Sequence, residues 1–202
     1  MELLVIRHGL PVRTERIDGT AADPELSDHG QQQAALLSEY LAAEPIKAVY
    51  SSPMRRAFQT AVPIAESRGL EISVEPRIAE WDQHSSSYVP MEELKATDPE
   101  AYRKLMKGEL DLDIDIHHFQ RDVVAAMEEI IARHPGEKVA VVCHGGVINT
   151  YADAVIGLGK PFGFTNTTYT SVNRFRAASS GERSVVSLNE VGHIYGTPLL
   201  YR

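Results

Sequence analysis

The sequence predicts an α/β protein: a three-layer α/β/α sandwich with a mainly parallel sheet, one antiparallel edge strand and a small helical cap or insertion. Residues 3–6 and 139–143 are short, continuous apolar runs rich in β-branched residues, as expected for strands buried on both faces of a parallel sheet. Segments with apolar residues at helical spacing alternate with such strands, which is typical of βαβ units. An irregular stretch at residues 85–118 interrupts this alternation and is predicted to be the cap.

The first half of the chain repeats the strand and helix pattern. Ser27 is a good N-cap, and apolar residues recur after it at helical spacing. Ser52 is expected to cap a second helix, because Pro53 suits a first helical position. The predicted elements are a strand at 3–6, a helix after Ser27 through Ala34, Leu37 and Leu41, a strand at 48–51, a helix at 54–68 and a strand at 71–74.

The second half contains the cap and then returns to the same pattern. The predicted elements are a helix start at Asp98-Pro99, a helix through Phe119, Val123, Met127 and Ile130 that ends before Pro135, a strand at 138–143, a helix at 147–156, and antiparallel or edge strands at 171–177 and 183–188. Because no linker, repeat or low-complexity run divides the chain, residues 1–202 are expected to form a single domain, with 85–118 as its cap.

The two buried strands end in the same way, in Arg7-His8-Gly9 and in His144-Gly145-Gly146. If the strands are parallel neighbours, both histidines lie at their carboxyl ends, where ligands of such sheets gather. An imidazole titrates near neutrality and is a nucleophile when neutral, while a guanidinium binds phosphate through charge-assisted hydrogen bonds. The pair therefore indicates a phosphate site, although the tripeptide alone more often has a structural role.

A third motif follows another predicted strand, at residues 51–61, and contains Arg55 and Arg56. Both arginines fall in the first turn of the predicted helix. A cation at the positive end of a helix dipole is unfavourable by about 0.3–1 kcal/mol, so an arginine there is better explained by a bound anion. We expect one of the two to bind an anion and the other to face solvent.

Taken together, these motifs resemble the histidine phosphatase superfamily, also called the phosphoglycerate mutase-like family. The resemblance spans nearly the whole chain in five ordered blocks. They are the signature Arg7-His8-Gly9, the first-helix entry at 23–30 followed by Gln33-Ala34, the second block at 52–61, the block at 142–146, and the closing strand and tail at 187–194. The resemblance implies the phosphatase branch of the family.

This resemblance implies the chemistry of a phosphomonoester hydrolase. His8 would be the nucleophile that accepts the phosphoryl group, and water would then hydrolyse the phosphohistidine. Glu80 matches the family glutamate that protonates the leaving oxygen and later activates water. No metal and no cofactor are implied, and the partner is a small-molecule phosphate ester.

The implied phosphate pocket surrounds His8. Arg56 is chosen over Arg55 because the family arginine immediately precedes an alanine, here Ala57. The transferring group carries charge on three oxygens and must be met by preorganised donors. The pocket residues implied are Arg7, Gly9, Arg56, His144 and Gly145, with His144 also counted as catalytic.

Two segments depart from the family pattern. Many relatives continue the glutamate block with a glycine, an aromatic residue and Glu-Gly, whereas Trp81-Asp82-Gln83-His84 follows here, so Asp82 and His84 are alternative proton donors. After the signature, relatives often carry Glu or Gln and then Ser or Thr, whereas Leu10-Pro11 stands here. A polar contact near the phosphate is therefore expected to be missing.

Several other functions can be weighed against the hydrolase. Cys143 suggests a thiol phosphatase, but such enzymes need an arginine six residues after the cysteine, and Asn149 stands there. Cys143 is therefore expected to be a buried strand residue. A metal hydrolase is disfavoured because no His-Glu-x-x-His motif or cysteine pair occurs. The alternatives left open are a phosphoglycerate mutase-type transferase and a non-catalytic phosphate-binding protein on the same fold.

Composition limits the partners further. The formal net charge of −8 argues against nucleic acid and acidic membrane surfaces. No apolar run approaches the ~20 residues that span a bilayer, no signal-peptide pattern is seen at the N-terminus, and the single cysteine suits a reducing compartment. A cytoplasmic location is expected, and a homodimer is expected only because such dimers are common.

The predicted cap carries Tyr88, Val89, Met91 and Tyr102. If the cap covers the site, these side chains predict a leaving group that is less polar than a small sugar acid.

Overall fold

The computed structural model describes residues 1–107, 115–160 and 162–200. Strands and helices alternate along most of the chain. In order, the elements are β1 Glu2–Arg7, β2 Thr14–Glu15, α1 Asp28–Tyr40, β3 Ile46–Ser51, α2 Arg55–Glu66, β4 Ile72–Val74, a 3₁₀ turn Pro76–Ile78, β5 Ser87–Tyr88, α3 Met91–Thr97, α4 Pro99–Lys107, α5 Ile116–Arg133, β6 Lys138–Cys143, α6 Gly145–Ile156, β7 Val172–Ala177 and β8 Arg183–Glu190.

The central sheet has six strands in the order β4-β3-β6-β1-β7-β8. The first four are parallel to one another, β7 runs antiparallel to β1, and β8 runs antiparallel to β7. The α/β class and the mainly parallel sheet are confirmed. The reversed strand, β7, lies one place in from the edge, because β8 pairs on its outer side as the second strand of a hairpin.

Helices cover both faces of the sheet, as the three-layer prediction requires. Alternate residues of β1 point to opposite faces. Leu3 and Val5 join a core with residues of α5 and α6, whereas Leu4 and Ile6 join a second core with residues of α1 and α2. All four side chains are fully buried. The continuous apolar run that predicted β1 therefore reflects a strand buried between two helical layers.

The helix starts were predicted with mixed success. Ser27 caps α1, since its Oγ accepts a hydrogen bond from Gly30 N, and Asp98 Oδ1 likewise accepts one from Ala101 N at the start of α4. Ser52 as the N-cap of α2 is wrong. Met54 takes that position with φ −69° and ψ 134°. Ser52 Oγ accepts a hydrogen bond from Met54 N at 3.3 Å and lies 2.8 Å from His144 Nε2. The first turn of α2 nevertheless contains both arginines.

The cap is joined to the loop that follows β1 by a two-stranded ribbon. Thr14 pairs with Tyr88, and two further backbone bonds, from Arg16 N to Ser86 O and from Ala22 N to Ser85 O, extend the attachment. Residues 108–114 of the predicted cap lie outside the described residues. The division into one domain with a cap at 85–118 stays a prediction. None of the described helices is both long enough and apolar enough to cross a membrane.

Candidate active site

The carboxyl ends of β1 and β6 bring the two histidines together. These strands are adjacent and parallel, with Arg7 opposite Cys143, so the residues that follow them are neighbours. The imidazole rings of His8 and His144 lie with their centroids 5.1 Å apart. The predicted juxtaposition of the two strand-end motifs is confirmed.

His8 is held in one tautomer and in one orientation. Its Nδ1 lies 2.7 Å from the carbonyl oxygen of Gly9, which can only accept, so Nδ1 carries the proton and Nε2 carries the lone pair. The main-chain N–H of His8 donates to Cys143 O, and the side chain is 2% exposed. Burial, together with the charges of Arg56 and Arg7, holds the pKa of His8 well below its usual value. The ring is therefore neutral at physiological pH.

Gly9 fixes the turn that presents His8. Its N–H donates to Thr60 Oγ1 at 2.9 Å, and a Cβ at this position would lie only 2.8 Å from Gly30 O. The Gly9 N–H therefore already has an acceptor within the protein. The place of Gly9 in the phosphate pocket stays a prediction. Gly145, the first residue of α6, lines the cavity beside His8.

Two guanidinium groups flank His8. Arg7 donates through Nη1 to Thr167 O, and its guanidinium carbon lies 4.0 Å from the centroid of the Tyr169 ring. Arg56 is 1% exposed, donates from Nη2 to Asp82 Oδ1 at 3.2 Å and lies over the ring of Tyr88. Both arginines line the same cavity as His8. Arg56 thus lies inside the cavity, while Arg55 pairs with Glu25 at the surface. That Arg56 binds an anion stays a prediction.

Arg56 has buried hydrogen-bond donors without an acceptor among the described residues. Within the part of the chain that the structure describes, its Nε and Nη1 atoms make no hydrogen bond. A buried polar group left in this state costs about 1–3 kcal/mol. A guanidinium with two such donors in a cavity is a site prepared for an anion.

His144 occupies the N-cap position of α6 and is fully buried. Its Nε2 lies 2.8 Å from Ser52 Oγ, and its Nδ1 has no hydrogen-bond partner among the described residues. Burial, followed by the charges of Arg56, His8 and Arg7, lowers its pKa well below the usual value. A second neutral imidazole therefore stands next to His8.

Glu80 supplies a carboxyl group to the same cavity. Its Oε2 accepts a hydrogen bond from Gly146 N at 2.8 Å, and its Oε1 accepts one from Trp81 N at 3.2 Å. Burial and the neighbouring charge of Asp82 raise the pKa of Glu80 to about 7. A carboxyl group with this pKa is present in both protonation states at physiological pH, as a group that gives and takes a proton requires.

The two alternative proton donors are placed differently. Asp82 lines the cavity, but its carboxylate pairs with Arg56. His84 is exposed and is not among the described residues that line the cavity. Glu80 is the candidate whose environment fits proton transfer best, and Asp82 acts on it through its charge.

Close approach of α6 to Glu80 requires glycine at position 146. A Cβ at Gly146 would collide with Oε1 of Glu80 and lie 3.0 Å from Trp81 Cδ1. We expect Gly146→Ala to displace Glu80, to lower kcat by about 10- to 100-fold through lost proton transfer and to lower the free energy of unfolding by about 1–3 kcal/mol through overpacking. Steady-state kinetics and denaturant unfolding measure both effects.

Gly145→Ala is the matched control for this substitution. A Cβ at Gly145 would meet Thr167 Oγ1 at 3.4 Å, which is ordinary van der Waals contact. Equal losses of activity in the two variants would show that the contact with Glu80 is not what matters at position 146.

Sequence reasoning missed several residues that hold the site together. Ser52 contacts His144, Thr60 anchors the turn after His8, and Tyr169 packs under Arg7 with its ring centroid 5.6 Å from that of His8. Ser52 carried a usable signal, because it directly follows β3, the strand next to β6. Tyr169 carried no such signal in the sequence, since it lies in a loop far from His8 along the chain.

Cys143 is the buried strand residue that was predicted. It is fully buried, and burial raises the pKa of its thiol. Among the described residues no group of three or more His, Cys, Asp or Glu side chains comes together as a metal site.

Comparison with known proteins places this site in a family. The chain matches the profile of the histidine phosphatase superfamily (branch 1) over residues 3–191, a range that contains His8, Arg56, Glu80 and His144. It is 33% identical over 208 residues to phosphoglycerate mutase-like protein 4 of Arabidopsis thaliana, covering 98% of this chain and 89% of that protein.

Further likeness is found to phosphatases. The chain is 32% identical over 159 residues to phosphoserine phosphatase 1 of Hydrogenobacter thermophilus, covering 75% of each protein. The fold is similar to the crystal structure of a phosphoserine phosphatase of Entamoeba histolytica in complex with phosphoserine, with a TM-score of 0.72, 21% identity and coverage of 96% of this chain and 98% of that one. The resemblance seen in the sequence is therefore confirmed: the chain belongs to the histidine phosphatase superfamily, branch 1.

Proposed function

We propose that this protein is a phosphomonoester hydrolase that works through a covalent phosphohistidine on His8. The observation that carries the proposal is a neutral, buried His8 whose Nε2 lone pair is free of the Gly9 contact and which lines one cavity with two arginines. An imidazole in this state is a nucleophile, and the guanidinium groups attract a phosphate monoester and offset the charge of its oxygens.

In the first step, the phosphate oxygens bind Arg7 and the unused donors of Arg56. The Nε2 lone pair of His8 forms a bond to phosphorus, and the bond from phosphorus to the ester oxygen breaks. Glu80, as the carboxylic acid, gives its proton to the leaving oxygen, which departs as an alcohol. The hydrogen bond from Nδ1 to the Gly9 carbonyl stabilises the positive charge that forms on the imidazole.

In the second step, water occupies the place of the departed alcohol. Glu80, now a carboxylate, takes a proton from this water, and the water oxygen forms a bond to phosphorus. The bond from phosphorus to Nε2 breaks and its electron pair returns to the imidazole. Inorganic phosphate leaves, and both His8 and Glu80 are restored to their starting states.

The proposal predicts a phosphoenzyme that can be isolated. We expect rapid mixing with 4-nitrophenyl phosphate and an alkaline quench to leave a phosphoryl group on the peptide that contains His8, detected by mass spectrometry. A phosphoramidate is lost in acid, so an acid quench should remove it, whereas a phosphoserine or phosphothreonine would survive. The mechanism would be contradicted if phosphate were released while the phosphoryl group was found on another residue. It would also be contradicted if phosphate were released and no phosphoryl group was found on the protein.

A mutase-type reaction is distinguished by its product. A hydrolase releases inorganic phosphate and leaves the free alcohol, whereas a mutase returns the phosphoryl group to a second hydroxyl of the same molecule. Product analysis with 3-phosphoglycerate therefore separates the two, because the accumulation of 2-phosphoglycerate in place of phosphate would support the transferase.

A further inference from the structure

The lining of the cavity also contains a large apolar and aromatic surface. Four large apolar or aromatic side chains line it, and three of them come from the cap or the segment leading into it. Phe162 also stacks against Phe119 of α5, with ring centroids 5.9 Å apart, which holds that wall in place. The four side chains are Trp81, Tyr88, Met91 and Phe162.

Positive charge in the cavity is confined to the end that holds His8. Of the described residues that line it, the cationic ones are Arg7 and Arg56. Arg7 is bound to Thr167 O and packed on Tyr169, and Arg56 lies over Tyr88. Both guanidinium groups are thus held by the protein near His8, where the phosphoryl group would bind in the proposed mechanism.

Negative charge lies between Arg56 and Glu80, because Asp82 pairs with Arg56 Nη2 at 3.2 Å and its charge acts on Glu80. The carboxylate of Asp82 lines the cavity with its side chain 19% exposed, next to Glu80, which binds the leaving oxygen in the proposed mechanism. A carboxylate on the leaving group would be brought close to Asp82 in a partly desolvated space, where like charges repel strongly. An apolar leaving group would instead bury surface against the aromatic wall.

We propose that this site selects phosphate monoesters whose leaving group is uncharged and aromatic or apolar, and that Asp82 rejects esters that carry a carboxylate. This inference rests on the proposed hydrolase function. Similarity to phosphoserine phosphatases would suggest the opposite preference, so the proposal separates this chain from those relatives by the chemistry of its own cavity.

A matched pair of substrates tests the proposal. Benzyl phosphate and 4-carboxybenzyl phosphate share the same ring and the same type of alkyl ester, so the acidity of the leaving alcohol hardly differs and only the carboxylate changes. We expect kcat/KM to favour benzyl phosphate by about tenfold or more, the size of effect that one unfavourable charge contact produces. Phosphoserine and 3-phosphoglycerate, which also carry a carboxylate, are expected to have a kcat/KM as low as that of 4-carboxybenzyl phosphate.

The outcomes separate this inference from the proposed function. Equal rates for the two benzyl esters, or a preference for the carboxylated one, would overturn the inference while leaving the hydrolase intact. Failure to release phosphate from every ester in the panel would instead overturn the proposed function.

Two variants assign the selectivity to named side chains. Asp82→Asn is expected to reduce the preference for benzyl over 4-carboxybenzyl phosphate severalfold, because the repulsive charge is gone. Its matched control is Asp122→Asn, a partly exposed aspartate of α5 that does not line the cavity. An unchanged ratio in Asp82→Asn would show that Asp82 is not the selecting group.

Phe162→Ala tests the apolar wall independently of Asp82. We expect this substitution to lower kcat/KM for benzyl phosphate about tenfold, the scale of a lost apolar contact. The kcat/KM for methyl phosphate should stay nearly unchanged. Phe58→Ala, at a partly exposed phenylalanine of α2 outside the cavity lining, is the control. Equal losses for the benzyl and methyl esters would contradict the proposed contact between Phe162 and the leaving group.

Discussion

Replacing His8 with alanine is expected to reduce the release of phosphate from a monoester by about 10⁴-fold or more, the loss seen when a covalent nucleophile is removed. No neighbour can take its place easily. His144 is neutral too, but its Nε2 faces Ser52, and it lies in the N-cap position of a helix rather than at the turn that presents His8. The phosphoenzyme should disappear together with turnover, and both are measured on the same samples.

The pattern across two further variants makes this test specific. His144→Ala keeps the nucleophile, so phosphoenzyme should still form on His8, with a rate lowered by about 10²- to 10³-fold through the loss of a group beside the transferring oxygens. His118→Ala, at an exposed histidine of α5, should behave as the unmodified protein. If His8→Ala retained turnover while His144→Ala lost the phosphoenzyme, the assignment of the two histidines would have to be reversed.

The core of the site was predictable because it depends on strand order and strand ends. Residues 3–6 and 139–143 are apolar on both faces, so they had to be interior strands, and interior parallel strands place their carboxyl ends side by side. Arg56 was predictable for a different reason. A cation in the first turn of a helix indicates an anion nearby, and the family resemblance, in which the arginine precedes an alanine, selected Arg56 over Arg55.

The supporting contacts were not predictable in the same way. Tyr169 reaches Arg7 and His8 across more than 150 residues of chain, and nothing in its local sequence distinguishes it from any other loop tyrosine. The short strands β2 and β5 have two residues each, too few for a period of alternation to show. The ribbon that joins the cap to the loop after β1 therefore became visible only in the structure.

The misplacement of Ser52 shows where local rules lose to tertiary contacts. A serine followed by proline predicts an N-cap, yet the helix starts three residues later. The Ser52 hydroxyl accepts only a 3.3 Å hydrogen bond from Met54 N, and it lies closer, at 2.8 Å, to His144 Nε2. The local preference is worth about 1 kcal/mol, which a buried contact to a histidine side chain can exceed. Here the local N-cap preference of a serine is overridden by a contact within the candidate active site.

The rate of the first chemical step should depend on pH through Glu80. Its pKa is raised to about 7, so the carboxyl group is protonated below that pH and ionised above it. Because the proton donor must be protonated to assist the leaving oxygen, we expect kcat/KM to fall tenfold per pH unit above about pH 7. On the acid side His8 imposes no loss near neutrality, since its lowered pKa keeps it neutral there.

Glu80→Gln should remove this alkaline limb and lower kcat/KM by about 10²- to 10⁴-fold, the usual contribution of general acid catalysis. The substrate ionises as well, with a second pKa near 6 for a phosphate monoester, but that effect is common to both proteins and cancels in their ratio. The defect should also depend on the leaving group. It should be large for benzyl phosphate, whose alkoxide needs a proton, and small for 4-nitrophenyl phosphate, whose phenolate does not.

Asp82→Asn gives the sharpest form of the same test, because the neighbouring charge of Asp82 helps to raise the pKa of Glu80. Removing that charge makes the ionised form of Glu80 less unfavourable, so its pKa falls and the alkaline limb moves to lower pH, with the limb itself retained. A limb that stayed in place in Asp82→Asn and survived in Glu80→Gln would show that another group donates the proton. If instead the limb vanished in Asp82→Asn and persisted in Glu80→Gln, Asp82 would be that donor, and its ion pair with Arg56 would have to open during the reaction.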